Sequence, residues 1–176
     1  MRNNHDVSQF EKIMLPHLDA AYNLARWLTR NDHDAEDLVQ TAFVRAVRFF
    51  DSYQGGNPRA WLLTIVRHTF YTGLRDNRQD EQTFDEDIHS PLPCASGPEQ
   101  NQNSRDTSRI VNQALEKLPN TFREVLILKE LEEMSYKEIA DLAGIPIGTV
   151  MSRLARARKL LLKYLNGAGS GESHGM

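Results

Sequence analysis

The chain has 176 residues, is 40% hydrophobic and carries a formal net charge of −3, which suits one or two small globular domains. No apolar run approaches the length of a membrane span, and the opening MRNNHDVSQF lacks the apolar core of a secretion signal. The single cysteine, Cys94, excludes an internal disulfide and a multi-cysteine zinc site, so a cytoplasmic protein is expected.

The distribution of charge says more than its sum. Residues 1–78 hold 10 basic and 9 acidic residues, residues 79–106 hold 1 and 7, and residues 107–176 hold 10 and 8. Two near-neutral blocks therefore flank an acidic connector.

The first block reads as all-helical. Phe10, Ile13, Met14, Leu18, Ala21, Tyr22, Ala25 and Leu28 recur at helical spacing, with Pro16 expected to kink or separate the first turns. A second helix begins at Asn31 or Asp32. Asp34, Glu36 and Asp37 sit in its first turn, where carboxylates oppose the positive end of the helix dipole. Leu38, Val39, Ala42, Phe43, Ala46, Val47 and Phe50 form its apolar side, and DSYQGGNP breaks it. A third helix is predicted from about Arg59 to Arg75, burying Trp61, Leu62, Ile65, Val66, Thr69 and Phe70. Residues 79–106 are poor in apolar groups and contain three prolines, at 91, 93 and 98, which predicts a flexible linker. Fully extended it would reach roughly 85–100 Å.

In the second block, Ile110, Val111, Ala114, Leu115 and Leu118 predict a helix ending at Pro119. Phe122, Val125, Leu126, Leu128 and Leu131 predict the next. The run SYKEIADLAGIPIGTVMSRLARARKLLLKYL then reads as two helices and a tight turn. Ser135 and Glu138 form a capping box, Gly144 ends the first helix, Pro146 and Gly148 keep the connection non-helical, and Thr149 caps the second helix. Small Ala140 permits a close crossing over Val150, the geometry of a helix-turn-helix. From Met151 to Leu165 there are five basic residues and no acidic one, opposite an apolar stripe of Val150, Leu154, Ala157 and Leu161. Such a helix suits a DNA groove. The tail GAGSGESHGM is expected to be disordered.

Two stretches carry a family resemblance. DAEDLVQTAFVRAVRFFDSY followed by RAWLLTIVRHTFY resembles the sigma-2 domain of extracytoplasmic-function (ECF) sigma factors of bacterial RNA polymerase. LEKLPNTFREVLILKELEEMSYKEIADLAGIPIGTVMSRLARARKLL resembles their sigma-4 domain. The resemblance implies an all-α protein of two small helical domains: a sigma-2-like bundle over residues 8–78 and a sigma-4-like helix-turn-helix over 107–165. A flexible acidic linker (79–106) joins them, and a tail (166–176) follows. It implies that Asp34, Glu36, Asp37, Leu38, Gln40 and Thr41 dock on the polymerase clamp. It implies that Asn57, Arg59, Arg67, His68, Tyr71 and Arg75 engage the −10 element; Trp61 reads as a core residue first and a stacking platform second. Many members carry Asn where this chain has His68. In the last helix, Met151, Ser152, Ala155 and Arg156 would face base edges of the −35 element, and Thr149, Arg153, Arg158 and Lys159 would contact phosphate. The implied partners are core RNA polymerase, through its clamp and flap regions, promoter DNA, and an anti-sigma factor. The acidic linker would thread polymerase channels as a nucleic-acid mimic or act as a solubilising tether.

Three other readings compete with this one. A helix-turn-helix regulator without polymerase docking leaves residues 1–78 without a role. A nucleic-acid enzyme would need a metal-ligand spacing, a P-loop or a nucleophile–base pair, and none is legible, so no catalytic residue, metal, cofactor or small-molecule substrate is expected. A purely helical interaction protein leaves the basic face unused.

Overall fold

The computed structural model describes residues 4–80 and 102–169, and no strand occurs among them. The helices are α1 (Asn4–Met14), α2 (Leu18–Thr29), α3 (Asp32–Phe49), α4 (Pro58–Asp80), α5 (Gln102–Glu116), α6 (Asn120–Glu130), α7 (Tyr136–Ala143) and α8 (Ile147–Gly169). They fall into two compact units, α1–α4 together with residues 141–144, and α5–α8 apart from those residues; every element is helical, as expected.

In the first unit Pro16 lies in a 3-10 turn, Leu15–His17, which separates α1 from α2. The α2–α3 reversal is built from three adjacent devices. Arg30 takes the left-handed conformation (φ 59°) and its N–H donates to the Arg26 carbonyl at 2.8 Å. Asn31 is extended, and its side-chain oxygen accepts from the Asp34 N–H at 3.1 Å, which caps α3. Arg26 Nε donates to Asp32 Oδ1 at 2.6 Å across the turn.

The core of this unit is lined by Met14, Leu24, Leu28, Val39, Leu62, Leu63 and Val66, with alanines 21, 25, 35, 42 and 46 letting the helix backbones approach closely. Phe10 packs edge-on against Phe43 and Phe50, and Phe50, Tyr53 and Trp61 continue the cluster with ring centroids 5.3–6.4 Å apart. Trp61 is thus a partly buried member of an aromatic cluster, in keeping with its assignment to the core. Leu63 is fully buried although it lay outside the expected stripe, whereas Ile65 and Phe70 are only half-buried.

In the second unit α8 packs on α6 and α5. Ala114, Leu115, Leu118, Val125, Ile127, Leu128, Met134, Ile139, Val150, Leu154 and Ala157 are buried. Ile110 and Leu131, expected inside, are 42% and 52% exposed. The least expected core residue is Arg123, 1% exposed on α6. Its Nη1 donates to the carbonyls of Glu116 (3.0 Å) and Leu118 (3.3 Å), and its Nη2 to Asn120 Oδ1. A guanidinium here satisfies the last carbonyl of α5 and the Leu118 carbonyl just beyond it, and opposes the negative end of the helix dipole.

Element ends depart from expectation in four places. α4 continues to Asp80 and α5 starts at Gln102, so both ends of the expected linker are helical. The polar QNSRD start of α5 carried no apolar period to reveal it. α1 starts at Asn4, and α8 runs to Gly169, into the expected tail. The rest of the expected linker, with Cys94, and residues 170–176 lie outside the described residues.

Replacing Arg123 by Met should destabilise the second unit by about 2–4 kcal/mol, because buried carbonyls lose their donors. Both tryptophans, Trp27 and Trp61, are in the first unit. Hydrogen exchange in α5 and α6 should therefore accelerate while the tryptophan fluorescence transition in urea stays put; unchanged exchange would disprove the capping role.

Candidate nucleic-acid and protein interfaces

The helix-turn-helix is held at each end by named hydrogen bonds. The Ser135 N–H donates to Glu138 Oε2 at 2.8 Å, and the Glu138 N–H donates to Ser135 Oγ at 3.1 Å, the reciprocal capping box that opens α7. Gly144 ends α7 with φ +66°, a left-handed backbone that glycine adopts without side-chain strain, while the Ile145 N–H donates to the Ala140 carbonyl at 3.1 Å. The start of α8 differs from expectation. The Thr149 and Val150 N–H groups both donate to the Pro146 carbonyl (3.0 and 3.2 Å), so Pro146 occupies the cap position. Gly148 and Thr149 are already helical. Ala140 and Val150 are both buried, but α8 gains its main packing from α6 and α5 rather than from a crossing with α7.

The faces of α8 segregate as the 3.6-residue period requires. Val150, Leu154 and Ala157 are buried and Leu161 is half-buried. Met151, Ser152, Ala155, Arg156, Arg158 and Lys159 are exposed, and Thr149 and Arg153 are half-buried at the edges. Ser152, Arg156, Lys159 and Lys163 run as one outward stripe. Ser152 Oγ donates to the Thr149 carbonyl at 3.1 Å, which leaves its oxygen lone pairs facing out. Arg158 differs from its neighbours: Nη2 donates to Glu130 Oε1 at 2.9 Å. The hydrogen bond to Glu130, with a further one to Tyr136, holds its guanidinium above its already high ordinary range against the opposing effect of burial.

On α4 the expected residues fall into two groups. Arg67, His68, Tyr71 and Arg75 share one exposed to half-exposed face. The Arg67 guanidinium lies 4.6 Å from the Tyr71 ring centroid, and Phe70 meets Tyr71 edge-on at 5.1 Å, so the tyrosine is fixed. Asn57 and Arg59 lie at the other end, roughly 15 Å away at 1.5 Å per residue. Asn57 is the cap of α4: its Oδ1 accepts from the Ala60 N–H and its carbonyl from the Trp61 N–H, both at 3.2 Å. Pro58 follows at the first helical position, where a missing N–H costs nothing.

On α3, Asp34, Glu36, Asp37, Gln40 and Thr41 are exposed. Leu38 departs from that set: it is 9% exposed and belongs to the buried stripe with Ala35, Val39 and Ala42, so it supports this face from beneath. Sequence reasoning missed Val44, 62% exposed, which extends the line of Asp37, Gln40 and Thr41 by one turn, and Phe49, 55% exposed at the end of the helix. The signal available was an apolar residue off the buried period. His33 Nε2 lies 3.6 Å from Asp37 Oδ2. Beside the same helix start, burial first and then the carboxylates of Asp32 and Glu36 push the Tyr22 hydroxyl above its ordinary pKa range. Among the described residues no group of three or more His, Cys, Asp or Glu side chains is placed to hold a metal ion, and no helix is long and apolar enough to cross a membrane.

Two stretches of the chain match known families. Residues 13–79 match the model for sigma-70 region 2, and residues 108–161 the model for sigma-70 region 4. The ECF RNA polymerase sigma factor SigE of Mycolicibacterium smegmatis is 33% identical over 160 residues, which cover 90% of this chain and 62% of that protein. SigW of Bacillus subtilis, also an ECF RNA polymerase sigma factor, is 32% identical over 170 residues, 91% of this chain and 90% of its own length. Among solved structures, the sigma factor RpoE in complex with the anti-sigma factor NepR, from Bartonella quintana, matches with a TM-score of 0.70 and 32% identity, covering 90% of this chain and 97% of that one. With both regions present in this order and SigW of Bacillus subtilis matched over 90% of its length, the chain belongs to the ECF sigma factors of the sigma-70 family.

Proposed function

We propose that this protein binds core RNA polymerase in the cytoplasm and directs it to promoters, recognising a −35 and a −10 element, opening the duplex and starting transcription, with no reaction catalysed by its own side chains. The observation that carries this reading is the pairing of a region 2 unit and a region 4 unit on one chain, each with an exposed polar face of its own. A helix-turn-helix regulator without polymerase docking would leave the region 2 match unexplained.

The α3 face docks on the polymerase clamp. Asp34, Glu36, Asp37 and Gln40 offer acidic and amide groups to a basic surface, Thr41 continues the row, and Val44 adds an apolar contact at its end. The face of Arg67, His68, Tyr71 and Arg75 engages the opened −10 strand. Capturing an unstacked base needs a flat π surface and nearby cations, and the Arg67–Tyr71 pair supplies both. Asn57 serves this face first by starting α4 at a fixed point, and Arg59 lies beside it. On α8, Met151, Ser152, Ala155 and Arg156 turn to base edges, while Thr149, Arg153 and Lys159 meet phosphate. The region 4 unit also contacts the polymerase flap. An anti-sigma factor is a further partner, by analogy with the complex of the Bartonella quintana protein.

Added to core RNA polymerase and a library of promoter-length duplexes, the protein should yield transcripts that share two spaced sequence elements. DNA binding without transcripts would instead support the plain regulator. Arg156→Ala should weaken promoter binding by about 1–3 kcal/mol and relax preference at one base pair, as expected for a bidentate contact to guanine; an unchanged preference in a binding selection would refute that assignment. Asp37→Arg combined with Gln40→Ala should abolish capture of core polymerase while circular dichroism stays native-like. Retained capture by this double variant would exclude the α3 face as the docking surface.

A further inference from the structure

Glu130 is out of place by two criteria. It is the last residue of α6, where a carboxylate opposes rather than satisfies the negative end of the helix dipole. It also lies beside a helix with five basic residues and no acidic one between Met151 and Leu165. Its carboxylate takes the Arg158 guanidinium at 2.9 Å, and both side chains are about half exposed, 54% and 48%. The neighbouring Lys129 is engaged elsewhere, with Nζ 4.9 Å from the Tyr136 ring centroid and 3.4 Å from the Met134 carbonyl. Among the described residues Arg158 is thus the α8 cation whose charge is cancelled by a carboxylate. Its position is two turns beyond Met151 on the same face, within the exposed side that meets DNA in the reading above.

We propose that Glu130 is an internal stand-in for a DNA phosphate, holding Arg158 in the free protein and surrendering it to the promoter backbone when α8 docks. The proposal rests on the reading of α8 as the DNA-contacting helix. A solvated ion pair between half-exposed side chains contributes little in water, so it is easily given up. A guanidinium that moves to a phosphate gains from counterion release. Because Glu130 must release Arg158 before the backbone can take it, Glu130 acts as a brake on DNA binding. The brake weighs most on non-specific DNA, where few other contacts offset it.

The test uses holoenzyme assembled from core RNA polymerase and the full chain. The probe is a promoter duplex selected from a randomised library by the wild-type holoenzyme, titrated over a range of KCl. Glu130→Gln should bind about threefold to tenfold tighter, with the gain largest at low KCl, because added salt weakens the competing ion pair in the wild type. Arg158→Ala should bind more weakly, and adding Glu130→Gln to Arg158→Ala should give no gain. Weaker binding by Glu130→Gln would show that the pair positions α8, and would overturn the proposal. A gain that persists in the Arg158→Ala background would show simple removal of a repelling charge, and would also overturn it. Scrambling the −35 element tests the underlying reading separately. Wild-type binding indifferent to that scrambling would defeat α8 as the DNA-contacting helix and the proposal with it.

Discussion

Every helix leaves unsatisfied N–H groups at its start and carbonyls at its end, and this chain must close several such ends in turns of only a few residues. The fold depends on how those groups are met. Asn31 caps α3, Asn57 caps α4, Ser135 and Glu138 cap α7, Gly144 closes α7, and the buried Arg123 covers the end of α5 from its seat on α6. Each device fixes where a helix begins or stops, and so fixes which residues face outward. A shift of one residue turns a helix face by about 100°, enough to carry Arg156 or Gln40 off its surface.

That constraint decides which side of each helix is left outward. Alanines 21, 25, 35, 42 and 46 bring the helices of the first unit close but bury little area per residue. The buried stripes are narrow: Ala35, Leu38, Val39, Ala42 and Ala46 on α3, and Val150, Leu154 and Ala157 on α8. What remains outward on α3 is acidic and amide-rich with one apolar end, on α8 basic, and on α4 a cation stacked on an aromatic ring. Three chemistries occupy three surfaces, so the net charge of −3 conveys nothing about any of them.

Much of this was legible in the sequence because the signals were strong where the chain turns. The Ser-x-x-Glu pair and the glycine six residues after the glutamate defined α7 directly, and the apolar period of α8 separated its buried stripe from its basic side. Less was legible where one residue serves two purposes. Leu38 belongs to the proposed docking segment in sequence and is buried in space. Asn57 resembles a base-reading amide and is first a helix cap. Arg123 resembles a surface cation, and no local pattern announces that a guanidinium will be buried on the end of the preceding helix. The Glu130–Arg158 pair is likewise invisible to periodicity, because its partners are 28 residues apart on different helices.

The small size of the units also bears on how promoter recognition is divided. A helix that offers a few base contacts and several phosphate contacts binds much of its DNA through charge, and charge alone does not discriminate between sequences. Two such surfaces on one chain discriminate better than either, because once one is seated the other binds at the effective concentration set by their covalent connection. The advantage holds only while each contact alone stays weak; a unit that clung to any DNA would be trapped before its partner surface found a matching element. A single basic stripe on α8 and one cation–aromatic pair on α4 are contact sets of the size that such a regime calls for, in which joint recognition of two elements wins over occupancy of either alone.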